Sequence, residues 1–245
     1  MAIFYFSIFC FSICFGCFLA VNLPSNFKKC SRKDFVCLKD AIQDALPKLK
    51  NGIPELEVPA LDPLSIPKMV IPPGGNVVQL EQIYTDSAYN GISKAKIEKL
   101  DFDIDKGKIE FQYTTPYIEL NGTYEVNGRI LTLPVFGKGP CSIRLNEVTG
   151  NLRFDLETFT KDSETYIRGK RSQMVIDIKQ GHYKFDNLFD GNKLLGDNLN
   201  MVLNDNWRAI FDEIISGYAQ AYADGMMEVM NKLFEKIPIR EMFSD

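Results

Sequence analysis

The chain of 245 residues has few of the side chains from which catalytic sites are built. It contains one histidine, His182, and no Gly-x-Ser-x-Gly turn that would present a nucleophilic serine. Cys141 could in principle form a thiolate pair with His182, but an unpaired cysteine in a strand is more often a small buried residue. We therefore expect that the protein is not an enzyme and that it uses no cofactor.

Metal ligands are equally scarce. Zinc sites need several closely spaced His or Cys side chains, and only three of the six cysteines lie beyond the N-terminal segment. Asp101, Asp103 and Asp105, followed by Gly107, resemble a calcium loop. The glycine falls one position late, however, and residue 112 is Gln rather than the Glu that closes an EF-hand loop. We expect no metal site.

Charge of either sign is not concentrated anywhere in the chain. Lys and Arg number 28 against 32 Asp and Glu, for a formal net charge of −4. Nucleic acids and anionic membranes both select clustered cations, so neither is expected as the main partner. The composition, 45% hydrophobic and 24% charged, is typical of a folded domain with a core.

No charged residue precedes Lys28, and the chain from Ala2 to Val21 is apolar. This pattern predicts a secretory signal peptide over residues 1–20, although its start is uncharged and only Ala20 is well placed before a cleavage site. About twenty apolar residues could instead span a bilayer as a retained anchor. No later run is long enough to cross a membrane. We predict a secreted protein with a single domain over residues 21–245 and no stable membrane insertion after cleavage.

The three remaining cysteines predict one disulfide bond. Cys30 and Cys37 form the natural pair in an oxidising compartment, and Cys141 is left over. In one continuous helix the Cα atoms of Cys30 and Cys37 would lie roughly 10 Å apart, which is too far for a disulfide, so Cys30 must precede the helix. The triplet Asn121-Gly122-Thr123 predicts a glycosylation acceptor at Asn121.

A short helix and a proline-rich stretch open the domain. Apolar residues recur at three- and four-residue intervals from Leu38 to Leu49, which predicts an amphipathic helix from about Asp34 that closes at Asn51-Gly52. Six prolines then follow between Ile53 and Pro73. Proline excludes a helix or a central strand there, and the stretch is too apolar for a solvated linker. We expect it to be extended and packed along the domain.

Alternation of apolar and polar residues dominates the middle of the chain, from about Val77 to Asn187. Such alternation, as in Phe102-Asp103-Ile104-Asp105, predicts strands with one dry face and one wet face. Turn residues at Asp105-Lys108, Val126-Gly128 and Val148-Asn151 favour an antiparallel meander over parallel βαβ units. A single sheet follows, whose dry face must be covered by another element.

The C-terminal region supplies that cover. From about Asp205 to Ile237 the apolar residues leave only a narrow polar stripe, which indicates a helix that is buried on most sides. At 1.5 Å per residue this helix would be roughly 50 Å long. Asn204 or Asp205 could cap its start, and Pro238 marks its end.

Together, several segments of the chain resemble the insect takeout and juvenile-hormone-binding protein family. They occur in the family's order and cover nearly the whole chain after the targeting segment: Cys30 with Cys37, Val58–Met69, Gly122–Gly139, Phe185–Gly196 and Leu203–Trp207. The resemblance implies an α+β fold, in which a strongly curved antiparallel β-sheet wraps a long C-terminal helix and a short N-terminal helix precedes the sheet. It also implies an elongated apolar cavity for a terpenoid, a fatty acid or another lipid.

One departure concerns cysteine. The resemblance to the juvenile-hormone carriers proper implies a second disulfide, for which the chain offers only Cys141 and no mate. The chain is therefore placed nearer to takeout, and juvenile hormone is not assigned as its ligand. Feeding, circadian and hormone-transport roles attach to relatives of this kind, and the residues do not choose among them.

If such a cavity exists, aromatic and flexible apolar side chains are the candidates for its walls. Tyrosine combines a flat apolar body with one hydroxyl that can orient a ligand's polar head, and methionine adds a deformable surface. The candidate ligand-binding residues are Phe111, Tyr113, Tyr117, Tyr124, Leu133, Phe154, Trp207, Phe211, Ile214, Tyr218, Tyr222, Met226 and Met230. The predicted function is that of a carrier of a small hydrophobic ligand; the alternative is an extracellular accessory protein that binds another protein through its surface.

Overall fold

The structure, a computed structural model, describes residues 22–73, 75 and 77–245. The signal peptide predicted over residues 1–20 lies outside this part of the chain. The described residues form one antiparallel sheet with helices before and after it, as the α+β prediction requires. The strands are β1 (Leu64–Ile71), β2 (Val78–Asn90), β3 (Lys96–Asp103), β4 (Lys108–Ile130), β5 (Leu133–Lys161), β6 (Glu164–Asp177) and β7 (Gln180–Phe185). The α-helices are α1 (Phe35–Lys48), α2 (Lys193–Asp205), α3 (Trp207–Phe234) and α4 (Ile239–Met242).

Two very long strands form the spine of the sheet. β4 has 23 residues and β5 has 29, and they pair with each other over nearly their whole length. On the far side of β4, β3 pairs with its first half and β2 with its second. On the far side of β5, β7 pairs with its first half and β6 with its second. A flat strand of 29 residues would extend roughly 95 Å, so the sheet must twist and curve to give a globular molecule.

Two of the three predicted turns are wrong. The turn between Asp105 and Lys108 joins β3 to β4, but Val126–Gly128 lies inside β4 and Val148–Asn151 lies inside β5. The glycines at these positions allow a neighbouring strand or side chain to approach the backbone closely, and they do not reverse the chain. Gly128 has a φ of 148°, and a Cβ there would lie 2.1 Å from the carbonyl oxygen of Gln79 on β2. The antiparallel meander itself is confirmed, since β3, β4, β5 and β6 pair in chain order, but two of these strands run through the predicted turns and are very long.

The proline-rich stretch contains a strand that the sequence did not predict. β1 carries Pro67 in its interior, yet it lies at the edge of the sheet and pairs only with β2. An edge position tolerates proline because one side of the strand needs no hydrogen-bond donor. The stretch before it contributes buried side chains to the core, among them Leu61 and Leu64, as expected for a packed segment.

The long C-terminal helix is confirmed, with its start two residues after the predicted one and without either of the predicted capping residues. α3 runs from Trp207 to Phe234, and a separate helix, α2, ends at Asp205. Asn206 lies between the two with a non-helical φ of −112°, and neither Asn204 nor Asp205 caps α3. The amide of Asn204 instead bonds to both backbone groups of Tyr183 on β7. Within the described ranges, none of the helices combines the length and apolarity needed to cross a bilayer.

α1 begins where the disulfide requires it to begin. The Asp34 carboxylate accepts a hydrogen bond from the backbone N–H of Cys37 and caps the helix, so Cys30 precedes the first turn. The chain folds back there, and the Cα atoms of Cys30 and Cys37 lie 5.8 Å apart in the predicted disulfide. The same segment contacts the C-terminus, where Ser244 donates its backbone N–H to the carbonyl of Cys30.

Candidate ligand-binding site

Between α3 and the inner face of the sheet, the described residues line three apolar chambers. They follow α3 from Ile210, near its start, to Phe234, at its end. At 1.5 Å per residue these two positions are about 36 Å apart, so the row of chambers is elongated. The inner face of the sheet supplies the opposite wall, because every second side chain of a strand points to that side.

The largest chamber lies at the end of the molecule that α1 covers, and we call it the α1 chamber. Its volume is about 220 Å³. Ile42, Ala45 and Leu46 of α1 close it on one side, and Met226 and Met230 of α3 close it on another. Its walls are almost wholly hydrocarbon, which is the composition expected of a site for an apolar ligand.

Two smaller chambers continue the row. The middle chamber, of about 50 Å³, is lined by Phe211, Ile215 and Ala219 of α3 together with side chains of β4, β5 and β6. The α2 chamber, of about 40 Å³, is lined by Leu199 and Leu203 of α2 together with side chains of β2, β4 and β7.

Neighbouring chambers share lining residues. Tyr222 lines both the α1 chamber and the middle chamber. Tyr183, Ile214 and Tyr218 line both the middle chamber and the α2 chamber. Neighbouring chambers therefore adjoin each other along α3.

The structure brings nine of the thirteen predicted site residues together along this row. They line the chambers from β4, β5 and α3 and are, in chain order, Phe111, Tyr113, Phe154, Phe211, Ile214, Tyr218, Tyr222, Met226 and Met230. The reason is periodicity, since the residues of α3 share its sheet-facing side and those of β4 and β5 share the inner face.

The other four candidates lie elsewhere. Tyr117 is held between Lys94 and Arg144, whose charged groups lie 4.6 and 4.2 Å from its ring centroid. Tyr124 is fully buried, and its hydroxyl donates to the backbone oxygen of Asp186 at 2.7 Å.

Leu133 is half exposed at the start of β5, and Trp207 packs against Gly181 at the start of α3. We predicted Tyr117, Tyr124, Leu133 and Trp207 from the type of their side chains alone. The strand register or the helix boundary places these four residues away from the chambers.

Sequence reasoning missed a buried polar cluster at the α2 chamber. The Oε1 atom of Gln82 accepts a hydrogen bond from the hydroxyl of Tyr218 at 2.7 Å and another from that of Tyr84 at 3.1 Å. The hydroxyls of Tyr84 and Tyr218 also contact each other. Burial raises the pKa of both tyrosines far above the usual value, so both remain neutral. Leu80, Gln82 and Tyr84 lie at every second position of the sequence, which places Gln82 on the buried face of β2. This spacing could have indicated the polar cluster.

Cys141 and His182 do not form a nucleophilic pair. Cys141 is buried on the inner side of β5, whereas His182 is exposed on β7 opposite Arg144. Burial raises the pKa of the Cys141 thiol to about 12, which keeps it protonated at neutral pH. Asn121, the predicted glycosylation acceptor, is exposed on β4. The modification itself stays a prediction.

Comparison with protein families gives one extensive match. The model of the family described as haemolymph juvenile hormone binding protein matches residues 8–244. Among solved structures, Takeout 1 of Epiphyas postvittana is similar to the chain, with a TM-score of 0.77 and 26% sequence identity. That similarity covers 89% of this chain and 99% of Takeout 1.

Two insect proteins show the similarity at the level of sequence. The circadian clock-controlled protein daywake of Drosophila melanogaster is 31% identical over 230 residues, which are 91% of this chain and 88% of daywake. A protein of Schistocerca gregaria named "Putative beta-carotene-binding protein" is 31% identical over 118 residues, which are 47% of this chain and 46% of that protein.

Proposed function

The chain belongs to the haemolymph juvenile hormone binding protein family, and we propose that it is a secreted carrier of a small hydrophobic ligand rather than an enzyme. The ligand would occupy the row of chambers beside α3, in contact with the nine predicted residues that line it. The observation that carries this proposal is the alignment of three chambers along α3, in which neighbouring chambers share lining residues and every wall is almost wholly apolar.

Burial is a sufficient source of affinity for such a carrier. An apolar ligand gains about 25 cal/mol for each Å² removed from water, so burial of about 300 Å² contributes roughly 7 kcal/mol before entropic costs. Binding then requires a cavity that matches the ligand's shape and excludes water, but it requires no charged partner and no metal.

The fold of one relative and the name of another support a ligand of this class. The Epiphyas postvittana protein shares the fold over nearly its whole length, and the name of the Schistocerca gregaria protein refers to beta-carotene, a long apolar molecule. The proposed ligand is accordingly a terpenoid, a fatty-acid derivative or a similar lipid.

The direct test is extraction of the purified protein with organic solvent and identification of bound lipid by mass spectrometry. A carrier yields a stoichiometric lipid, and the delipidated protein binds a neutral fluorescent probe such as N-phenyl-1-naphthylamine. Absence of both the lipid and the probe binding would overturn the proposal.

A space-filling variant locates the binding. Ala45→Phe places a ring in the α1 chamber and should weaken probe binding at least tenfold, because the guest and the ring compete for one volume. Ala41→Phe, one turn earlier on α1, is the matched control, since Ala41 is not among the residues that line the chamber. Equal effects of the two variants would contradict the assignment to this chamber.

A second candidate is an extracellular accessory protein that binds a partner through its surface. It is favoured by the outward side chains of α2, where Leu194 and Met201 are 72% and 56% exposed. Tyr218→Trp separates the two functions, because it changes the wall of two chambers. A carrier should lose or change ligand binding, whereas a surface-binding protein should keep its partner affinity as long as it stays folded.

A further inference from the structure

The α2 chamber contains a hydrogen-bond donor for which the described residues supply no acceptor. Gln82 is 4% exposed, and its Oε1 atom is occupied by the hydroxyls of Tyr84 and Tyr218. Its Nε2 atom is buried and has no partner among the described residues. A primary amide carries two donors on that nitrogen, and leaving them unpaired in a dry site is unfavourable.

A second donor without an acceptor lines the same chamber. The hydroxyl of Tyr183 is buried and has no partner among the described residues. Tyr183 lines both the α2 chamber and the middle chamber, so a group bonded to it can continue into the middle chamber. Burial raises the pKa of Tyr183 far above the usual value, which keeps it a neutral donor at physiological pH.

The walls of the three chambers carry no formal charge, and the charge that acts on Tyr183 from outside them is the Asp212 carboxylate, which is an anion. Every described residue that lines the three chambers is apolar or neutral, and Gln82 and the tyrosines are the polar ones. A carboxylate taken into such a site would lose its hydration without meeting a cation. A carbonyl, ester or ether oxygen would lose far less, and it would accept the hydrogen bonds that Gln82 and Tyr183 offer.

We propose that Gln82 and Tyr183 form the polar anchor of the ligand site and that they select neutral lipids with an acceptor oxygen at one end over free carboxylic acids. The head group would lie in the α2 chamber, whose volume of about 40 Å³ suits a small head, and the chain would extend along α3. This inference rests on the proposed carrier function and specifies its ligand class.

Three ligands with the same chain length test the selection. Hexadecane, methyl hexadecanoate and hexadecanoate are compared at pH 8 by displacement of N-phenyl-1-naphthylamine from the delipidated protein. The ester should bind at least tenfold more tightly than the acid and about two- to tenfold more tightly than the hydrocarbon, as expected for one or two net hydrogen bonds. Binding of the acid as tight as that of the ester would overturn the inference while leaving the carrier function intact. Failure of all three ligands and of the probe would instead remove the carrier function itself.

Conservative variants test the position of the anchor. Tyr183→Phe removes one hydroxyl that has no partner to lose, so the fold should be kept and the preference for ester over hydrocarbon should fall by about two- to tenfold. Gln82→Leu should reduce the same preference. Tyr166→Phe is the matched control, because Tyr166 is a buried tyrosine that lines none of the three chambers. The preference for ester over hydrocarbon should be unchanged in Tyr166→Phe.

An unchanged ester preference in Tyr183→Phe and Gln82→Leu would mean that these donors serve a buried water or the fold alone, and the anchor would be rejected. The hydroxyl of Tyr113 is also buried without a partner among the described residues, but it lines the α1 chamber. Loss of the preference in Tyr113→Phe but not in Tyr183→Phe would also reject the anchor, because the head group would then lie at the opposite end of the row.

Discussion

At the scale of single residues, Gly150 decides how the inner wall of the α1 chamber is built. It lies opposite Tyr113 in the pairing of β4 with β5, and a Cβ at position 150 would come within 2.4 Å of the Tyr113 ring. The glycine therefore lets the tyrosine ring lie flat across the neighbouring strand. The same glycine looked like a turn residue in the sequence, because its effect is on a side chain distant in sequence.

Gly150→Ala is expected to destabilise the protein by about 1 to 3 kcal/mol, the range for overpacking a filled interior. The measurement is the free energy of unfolding from urea titration. Gly196→Ala is the control: a Cβ there meets its nearest neighbour at an ordinary 3.5 Å, and alanine is favoured over glycine in the interior of a helix such as α2. Equal destabilisation by both changes would contradict the packing explanation.

Cys141 predicts a dependence of stability on pH. Its pKa is raised by burial from 9.0 to about 12, so above pH 9 the unfolded chain releases a proton that the folded chain retains. The contribution of Cys141 is thus complete below pH 9 and is lost as the pH rises toward 12. We expect the unfolding free energy to fall over this window and to fall less steeply in Cys141→Ala. Identical slopes for the two proteins would show that the thiol ionises equally in both states.

At the scale of elements, α3 approaches the sheet closely because it carries small residues on one side. A Cβ at Gly217 would lie 2.9 Å from Ile71 of β1, and one at Gly225 would lie 3.0 Å from Ile66 of the same strand. The two glycines are eight residues apart and therefore share a face of the helix. Because these two glycines have no side chains, α3 can lie directly against the edge strand β1. The other side of α3 contacts β6.

Asparagine side chains join the C-terminal helices to exposed strand backbone. Asn204 bonds both the N–H and the C=O of Tyr183, at 2.9 and 2.8 Å, and Asn200 does the same to Phe185. Both strand residues belong to β7, which pairs only with β5, so its other edge would otherwise lack partners. The amides replace a neighbouring strand and fix α2 on the sheet.

Asn204→Ala should lower the free energy of unfolding by roughly 1 to 3 kcal/mol, because a part-buried donor and acceptor lose their partner. Asn206→Ala is the matched control, since its side chain bonds only the exposed carbonyl of Val202 at 2.8 Å. Chemical denaturation of the two variants gives the comparison. A larger effect at Asn206 would show that the terminus of α2, and not its bond to β7, determines the stability.

At the scale of the whole molecule, ligand binding and folding should be coupled. The chamber walls come from α1, α2 and α3 and from six of the seven strands, so they exist only in the folded state. A ligand at one hundred times its Kd should add about 2.7 kcal/mol to stability and raise Tm by roughly 5 to 10 °C. Thermal denaturation with and without methyl hexadecanoate measures the shift. The Ala45→Phe protein should show a smaller shift, and an equal one would place the bound ligand outside the α1 chamber.

The sequence by itself determined the classes of element and the direction of their apolar faces. Period-two alternation identified strands, the broad apolar surface near the C-terminus identified a buried helix, and the spacing of Cys30 and Cys37 required a chain reversal before α1. These features depend on neighbours within a few residues, so local patterns report them. The resemblance to a family then supplied the curvature of the sheet and the expectation of a cavity.

The tertiary structure alone decided which side chains meet. It placed Gly150 beneath Tyr113, used Asn204 for β7 instead of a helix cap, and turned Tyr117 outward between two cations. It also gathered Gln82 and Tyr183 around one chamber, although 101 positions separate them in the chain. Contacts of this kind follow from strand register and helix docking, which are set by the packing of the whole core and leave no local pattern in the sequence.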